Sequence, residues 1–367
     1  MKKILLVNWR DIKNPEAGGA EIYYHEIFKR LAKADYAVTV LSHGFSGAPA
    51  QEIVEETHII RIGSRSLFNF SAMIFIKRHE TEFDLIIEDL NKIPFYTPLF
   101  VKKPRLHLVM HFFGTQIFRE ASWPLAAYVY GQERLISRMY RAERFVAISE
   151  STAREVRAFC HHSNQVDIVE PGVDTAFFKP VLKKEATPLL FTVTRLKRYK
   201  NVQFLLECLP AIARAVPAVR LVVAGTGDYE KTLKKICQEK GVEKRVDFVG
   251  YVTEEQKREW LSRATLFVNP SMKEGWGITN IEANLCGTIS LSSNVGGLRD
   301  SVQHEKTGLL YRPEDKADFT AKAVALLQDT EKRSELEENG LSFASGFSWD
   351  TMAQHMVPCI ERALNHA

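Results

Sequence analysis

Short apolar runs alternate with helix-forming segments along this chain, and this alternation limits the possible folds more than any other feature. KILLVNW (3–9) has the pattern of a buried strand, a glycine-containing loop and an amphipathic segment follow, and AVTVLSH (37–43) has the pattern of the next strand. Strands and helices that alternate in this order build parallel sheets with helices on both faces. The sequence therefore predicts an α/β fold with doubly wound parallel sheets.

The chain has 367 residues, which exceeds the size of one average domain. We therefore expect two domains, one covering 1–180 and one covering 187–348. The polar, charged segment VLKKEATP (181–188) is predicted to link them, and a last helix is predicted over 349–367.

Composition indicates an ordinary globular protein, with 45% apolar residues, 26% charged residues and a formal net charge of +4. That charge does not predict nucleic-acid binding. The first apolar run is only about five residues long and Arg10 and Asp11 follow it, so we interpret it as a strand and not as a signal peptide. No run approaches the ~20 apolar residues that span a bilayer. Five scattered cysteines without a CxxC motif indicate reduced thiols, no structural zinc and a cytoplasmic location.

The stretch 264–307 carries the most informative pattern. It runs from an apolar strand through the loop KEGWG (273–277), a helix (278–287) and a short strand to a Gly-Gly turn, with Glu274 in the loop and Glu282 on the helix. Loops at the carboxyl ends of parallel strands, and the helix N-termini behind them, bind anionic ligands. Two carboxylates at such a place suit a ligand that carries phosphates and several hydroxyl groups.

Other candidate residues also follow predicted strands. Arg195 and Lys200 lie on both sides of a strand-to-helix loop and could converge on one diphosphate. Gly18 and Gly19 precede the first helix, where they either let a phosphate or sugar approach the backbone or form a simple tight turn. The strand predicted from residue 105 ends on His111, whose role is either structural or at a ligand.

EGWGITNIEANLCGT followed by Gly-Gly resembles the glutamate-pair motif of the retaining nucleotide-sugar glycosyltransferases of family 4, which have the GT-B fold. The chain departs from the usual pattern at Trp276, at the pair Thr279–Asn280 and at 298–300. The segment RLKRYK (195–200) resembles the basic element that holds the donor diphosphate in this family. The resemblance spans nearly the whole chain and is most specific from Arg195 onward.

This resemblance implies two Rossmann-like domains that face each other across a cleft, the first binding the acceptor and the second the donor, with the last helix crossing back to the first. It assigns catalytic roles to Arg195, Lys200, Glu274 and His111. Glu274 would bind sugar hydroxyls, and Glu282 the ribose. The residues that it places around the donor are Gly18, Gly19, Gly227, Tyr251, Val252, Gly275, Trp276, Gly277, Ile278, Thr279 and Glu282.

The implied reaction is retaining transfer of a hexose from a UDP- or GDP-linked sugar to a glycan or lipid-linked saccharide, in polysaccharide or glycoconjugate synthesis. The nucleotide sugar is then a co-substrate and no separate cofactor is expected. The sequence contains no Asp-x-Asp motif, so we expect no metal requirement. Segments that mix basic and bulky apolar residues, such as 101–105 and 128–145, are either solvated helix faces or a peripheral contact with the inner face of the cytoplasmic membrane.

Three alternatives remain open from the sequence. A retaining glycosidase needs two carboxyl groups about 5 Å apart, whereas Glu274 and Glu282 would be up to ~12 Å apart on a continuous helix. A sugar-nucleotide epimerase of the same fold would release no transferred sugar. A non-catalytic sugar- or nucleotide-binding protein would bind a ligand tightly without turnover.

Overall fold

A computed structural model describes residues 1–90, 93–112, 114–120, 122–160 and 165–365. They form two compact units. Unit 1 comprises Met1–Gly172 together with the segment that begins at Trp349, and unit 2 comprises Val173–Ser348. The last two residues of the helix predicted over 349–367 lie outside the described residues.

The described residues of unit 1 form an eight-stranded sheet with the order β3-β4-β2-β1-β5-β6-β7-β8, in which β3 alone is antiparallel to its neighbour. The strands are β1 (Lys2–Val7), β2 (Tyr36–His43), β3 (Gln51–Val54), β4 (Thr57–Ile62), β5 (Leu85–Asp89), β6 (Arg105–Val109), β7 (Phe145–Ala147) and β8 (Val166–Ile168). The apolar runs predicted as strands fill its centre, because the side chains of β1 and β5 are buried on both faces of the sheet.

Helices cover this sheet. They are α1 (Gly19–Ala32), α2 (Phe68–His79), α3 (Ile117–Glu120), α4 (Trp123–Met139), α5 (Glu150–Phe159) and the C-terminal helix, α13 (Trp349–Leu364). The C-terminal helix packs against α1, where Trp349 lies edge-on to Tyr23. A Cβ on Gly172 would come within 2.8 Å of Trp349, so glycine is needed where the two segments of unit 1 meet.

Unit 2 contains a parallel six-stranded sheet with the order β11-β10-β9-β12-β13-β14. The strands are β9 (Leu189–Val193), β10 (Arg220–Ala224), β11 (Val246–Gly250), β12 (Leu266–Asn269), β13 (Ser290–Ser293) and β14 (Gly308–Tyr311). The helices are α6 (Val202–Ala215), α7 (Glu230–Glu239), α8 (Glu254–Arg263), α9 (Ile278–Leu285), α10 (Gly296–Ser301), α11 (Lys316–Gln328) and α12 (Thr330–Ala344). The predicted α/β class with two parallel sheets is thus confirmed.

In each sheet, successive strands are first added on one side of the first strand and then on its other side, so the strand order reverses once. In unit 2 the chain winds outward from β9 through β10 to β11, then returns to β12 on the other side of β9 and winds outward to β14. In unit 1 the same reversal lies between β1 and β5. Loops that leave the carboxyl ends of strands at such a point diverge and open a crevice, which is where open α/β sheets bind ligands.

The segment 181–188, predicted as a linker from its polarity, belongs to unit 2. Its charges have partners there: Glu185 pairs with Arg263 over 2.8 Å, and Lys184 Nζ donates to the carbonyl of Ala264 at 2.9 Å, where α8 ends. Separately, no helix among the described residues is long and apolar enough to cross a membrane.

Candidate functional site

The reversal point of unit 2 brings together two of the predicted site residues. Lys200 lies in the helical turn Arg198–Lys200 that follows β9, Glu274 lies in the loop that follows β12, and these two strands are neighbours. Lys200 Nζ and Glu274 Oε1 form a close ion pair. The two loops are also joined through the backbone, because the amide of Met272 donates to the carbonyl of Tyr199 at 3.0 Å. Lys200 and Glu274, which lie 74 positions apart in the sequence, are therefore in direct contact.

Electrostatics at this ion pair favour the charged form of Lys200. Burial acts to lower the pKa of Lys200, but the Glu274 carboxylate outweighs it and holds that pKa above its ordinary value, while the positive charge of Arg195 acts against it. Arg195 itself is exposed, and within the described ranges no carboxylate pairs with it. The site therefore presents one cation that is engaged and a second that is available to an anionic ligand.

Glycines let the loops after β12 and β13 touch. The amide of Gly297 donates to the carbonyl of Glu274 at 3.0 Å, and a Cβ on Gly297 would overlap the carbonyl of Gly275 and the amide of Trp276. Gly277 has φ +95°, which L side chains rarely adopt, and it forms the N-cap of α9. The Gly-Gly turn thus fixes the backbone that carries Glu274 into α9.

The first turn of α9 contains Ile278 and Thr279, both partly buried. The first amides of a helix have no intrahelical acceptor and lie at the positive end of its dipole, so they are suited to a phosphate. The side chain of Trp276 points elsewhere: it is 5% exposed and packs against Phe347. Its indole Nε1 is buried and has no hydrogen-bond partner among the described residues.

Glu282, one turn into α9, is almost fully buried and is held by a residue that the sequence analysis did not select. Lys257, on α8, places its Nζ 2.9 Å from Glu282 Oε1 and 2.8 Å from Glu254. Burial raises the pKa of the Glu282 carboxyl even though the nearby Lys257 acts to lower it. The periodicity of α8 gave no signal for Lys257, because a lysine on a polar helix is ordinarily a solvated side chain.

The loops after β10 and β11 leave the same edge of the unit 2 sheet, because these strands run parallel to β9. Gly225 and Gly227 pack directly on the backbone of the loop after β9, so that a Cβ on Gly227 would overlap the carbonyl of Leu196. Tyr251 directly follows β11 and is 78% exposed, while Val252 is partly buried. An exposed aromatic ring at this edge offers a stacking surface for a planar ring.

In unit 1 the loop after β1 leads to the predicted glycines. Gly18 is the N-cap of α1, and its amide donates to Glu21 at 2.7 Å; a Cβ on Gly19 would meet nothing within 4 Å. The loop is anchored by a buried ion pair between Asp11 and Arg61, in which two hydrogen bonds of 2.8 Å form a fork. Its geometry at Gly18 is therefore that of a stable helix start with an open backbone at Gly19.

His111 lies two residues beyond the end of β6, and not at the strand end that the sequence predicted. It is partly buried in unit 1. The structure places it at the same sheet edge as Gly18 and Gly19, because β1 and β6 run parallel in one sheet. Among the described residues, no three His, Cys, Asp or Glu side chains are grouped so that they could hold a metal ion.

Family models match both units. One described as "Glycosyl transferases group 1" matches residues 173–343, and one described as "Glycosyltransferase Family 4" matches residues 17–177. D-inositol 3-phosphate glycosyltransferase 2 of Catenulispora acidiphila is 25% identical, over 95% of this chain and 91% of that protein. GDP-mannose-dependent alpha-(1-6)-phosphatidylinositol monomannoside mannosyltransferase of Mycobacterium tuberculosis is 28% identical over 97% of both chains. The solved sucrose-phosphate synthase of Thermosynechococcus elongatus superposes with a TM-score of 0.82 at 21% identity, covering all of both chains.

Proposed function

Because the chain belongs to the family 4 glycosyltransferases, which have the GT-B fold, we propose that it moves a hexose from a nucleoside diphosphate sugar to a glycan or lipid-linked saccharide, with retention at the anomeric carbon. The Lys200–Glu274 ion pair is the observation that carries this proposal. It places a cation for phosphate and a carboxylate for sugar hydroxyls side by side at the reversal point of unit 2. A diphosphate sugar carries both groups next to each other.

In the proposed reaction the bond between the anomeric carbon and the diphosphate oxygen breaks, and its electron pair stays on the diphosphate. The acceptor hydroxyl oxygen forms the new bond to that carbon, and its proton passes to the departing diphosphate oxygen. Negative charge therefore grows on the diphosphate beside Lys200 and Arg195, and fixed cations at such a position lower the barrier. The amides of Ile278 and Thr279 add the partial positive charge of a helix N-terminus.

Glu274 and Glu282 have separate roles in this proposal. Glu274, at the loop, accepts hydrogen bonds from sugar hydroxyls once the ligand's phosphate has engaged Lys200. Glu282 keeps one carboxylate oxygen without a hydrogen-bond partner within the described part of the chain, and we assign that oxygen to the ribose. Each carboxylate engages a different lysine, unlike the facing carboxyl pair of a retaining glycosidase.

The remaining assignments rest on the family resemblance. Tyr251 and Val252 would meet the nucleobase, Gly18, Gly19 and Gly227 would let the donor approach the backbone, and His111 would lie near the sugar. Neither a metal nor a separate cofactor enters the proposed reaction. These roles stay predictions, as does the choice between UDP and GDP.

The proposed acceptor follows from the relatives' names. One acts on D-inositol 3-phosphate and another on a phosphatidylinositol monomannoside, so the acceptor screen begins with inositol phosphates and phosphatidylinositol mannosides. A lipid acceptor would bring unit 1 to a membrane surface. Helix α4 supports that contact, because Trp123, Leu125 and Tyr128 are at least half exposed and Arg134 and Arg138 have no carboxylate partner within the described ranges.

Calorimetric titration with UDP, GDP and ADP, each with and without EDTA, tests the donor site. We expect one nucleotide to bind in the micromolar range, insensitive to EDTA, and Arg195→Ala to weaken that binding at least tenfold. Arg198→Ala removes the same charge from the same loop and serves as the matched control. Binding of none of the three nucleotides would contradict the proposal, and tight binding without turnover on any acceptor would favour a binding protein.

Testing retention and hexose transfer requires the reaction product. Once an acceptor is found, NMR of the purified product gives the anomeric configuration and the identity of the transferred sugar. A product whose configuration is opposite to that of the donor would overturn the retaining assignment. Release of a modified free sugar without transfer would indicate the epimerase alternative.

A further inference from the structure

A basic pocket lies at the edge of the unit 1 sheet where three strands begin. Its volume is about 340 Å³. Ala363 of the C-terminal helix lines it on one side. The other lining residues precede or open β6, β7 and β8 and include Lys102, Lys103, Arg105, Glu143, Arg144 and Gln165. The predicted acceptor side of unit 1 is the other edge, where these strands end. Because β6 spans five residues, the two edges are roughly 16 Å apart.

The charges in this pocket are unbalanced. Its one carboxylate, Glu143, is already used: Arg105 binds it at 2.9 and 3.0 Å, and His107 binds it at 3.0 Å. The side chains of Lys102, Lys103 and Arg144 form no ion pair in the described parts of the chain, although the backbone amide of Lys102 donates to the Glu80 carboxylate at 3.2 Å. Three like charges therefore line a concave surface without a salt-bridge partner, which favours binding of an anion.

Arg144 carries the most specific signal. The side-chain Nε of Arg144 is buried and has no hydrogen-bond partner among the described residues. Its backbone carbonyl, by contrast, accepts a hydrogen bond from the amide of His107. A buried donor without an acceptor destabilises the protein unless a ligand or water satisfies it. A guanidinium presents its donors in a planar fork that matches two oxygens of one phosphate. A solvated surface lysine cluster would not leave such a donor buried.

We propose that this pocket binds a phosphate group, with Arg144 as the fork and Lys102 and Lys103 as flanking charges. The phosphate belongs either to a small phosphorylated compound or to the headgroup of an anionic lipid. The pocket contains none of the proposed donor residues, since those of unit 1, Gly18 and Gly19, lie at the sheet edge where the strands end, and the others belong to unit 2. It does not depend on the proposed reaction, since every residue in it belongs to unit 1.

The test uses inorganic phosphate as the probe and ³¹P line broadening as the readout. Because the donor site also attracts phosphate, all proteins carry Arg195→Ala, which leaves the pocket intact. We expect Lys102→Ser/Lys103→Ser in this background to weaken phosphate binding at least tenfold, and Arg144→Gln to do the same. The matched control, Lys33→Ser/Arg78→Ser, removes two exposed positive charges elsewhere in unit 1 and should bind phosphate like the parent.

Equal phosphate binding by the parent and both pocket variants, with unchanged circular dichroism, would overturn the proposal. Equal losses in the control and pocket variants would do so as well, since they would show only an effect of net charge. Failure of the donor proposal looks different: Arg195→Ala would then leave nucleotide binding unchanged while the pocket variants still lose phosphate.

Co-sedimentation with vesicles separates the two sources of phosphate. The vesicles contain 70% phosphatidylcholine and 30% phosphatidylglycerol, and pure phosphatidylcholine is the reference. A lipid headgroup as ligand predicts that the pocket variants lose binding to the anionic vesicles at least tenfold and that glycerol phosphate competes. A small phosphorylated ligand predicts unchanged vesicle binding together with the loss of phosphate binding.

Discussion

Lys257 Nζ lies 2.9 Å from Oε1 of Glu282, while Oε2 of the same carboxylate is buried and has no hydrogen-bond partner in the described chain. The carboxylate is therefore half satisfied. Its charge is balanced by a lysine from a neighbouring helix, and we assign its second oxygen to a ligand hydroxyl in the proposed site. Lys257 thus acts as a positioning residue for Glu282 in the proposed site.

Lys257→Met should leave Glu282 buried without a cation. We expect the free energy of unfolding to fall by about 3 kcal/mol at pH 8, since removing one member of a buried pair strands the other. Burial already raises the pKa of Glu282, so in the variant this carboxyl takes up a proton as the pH falls and is then no longer a buried charge. The difference in unfolding free energy between variant and wild type should therefore shrink toward pH 5. Urea unfolding at the two pH values measures this. Lys234→Met, at an exposed pair, should change little at either pH; a loss independent of pH would contradict the argument.

Glu274→Gln should separate nucleotide binding from turnover. The substitution frees Lys200 from its ion pair, so a nucleoside diphosphate should bind at least as tightly as to wild type. Turnover should fall on the order of 10²-fold, because the carboxylate that meets the sugar is lost. Calorimetry and product formation measure the two effects. Glu239→Gln, at an exposed pair, is the control, and a parallel loss of binding and turnover would argue against the assignment.

Lys200→Met should have the opposite profile on binding. It removes the buried cation that we assign to the diphosphate, so nucleotide affinity and turnover should both fall, each by at least tenfold. Lys197→Met removes a neighbouring exposed lysine that pairs with Asp228 and should leave nucleotide affinity within twofold. Retained affinity in Lys200→Met would place the diphosphate elsewhere.

Gly297→Ala should disturb the proposed site without touching a charged residue. The new methyl group would overlap the backbone at Gly275 and Trp276, so the loop that carries Glu274 must shift. Overpacking of this kind destabilises by about 1–3 kcal/mol, and donor affinity should fall with it. Gly131→Ala is the control, since a Cβ there meets nothing within 4 Å in a helix. Thermal unfolding and nucleotide titration of both variants check the prediction; equal behaviour would contradict it.

Stability of unit 1 should depend on pH through His107, which is fully buried between Glu88 and Glu143. Burial lowers its pKa, but the two carboxylates outweigh burial and raise it above 6.5. A raised pKa means that the stabilisation is fully present below pH 6.5 and is lost as pH rises through the folded-state value. Hydrogen exchange of β6 amides between pH 6 and 9 measures it.

His107→Gln is the matching variant, because it keeps a polar side chain and cannot titrate. We expect the variant to be less stable at pH 6 and to lose the dependence between pH 6 and 9. The pH dependence that comes from Glu143 runs in the opposite direction. Burial acts to raise its pKa, but His107 and Arg105 outweigh burial and lower the pKa to about 2. The stabilisation by Glu143 is therefore present above pH 4.5 and is lost in acid. An unchanged pH profile in His107→Gln would assign the dependence to another group.

The sequence predicted the features that local pattern determines. The apolar runs predicted the strands. Gly275, Gly277 and the pair at 296–297 predicted two loops, and the backbones of these loops are in contact. Arg195 and Lys200 were found because strand ends in a parallel sheet gather at one edge. Such rules depend on neighbours in sequence and on the direction of the strands, and both can be inferred without coordinates.

The features that the sequence could not give depend on long-range packing. No local pattern shows that the Trp276 indole is buried against Phe347, or that the Asn280 amide hydrogen-bonds Ser292 and Ser301 inside unit 2. Lys257 has a role only because α8 packs beside α9. The basic pocket of unit 1 lies where strands begin, so a rule about strand ends could not identify it.

The ion pair between Lys200 and Glu274 also bears on how a reaction cycle would finish. An intact donor engages both partners at once, whereas a spent nucleotide would hold the lysine and leave the half-buried carboxylate without a cation. Closing the pair again would then favour departure of the nucleotide. On the proposed function, Glu274 therefore competes with the spent nucleotide for Lys200. Product inhibition should then be weaker than the affinity of the donor suggests.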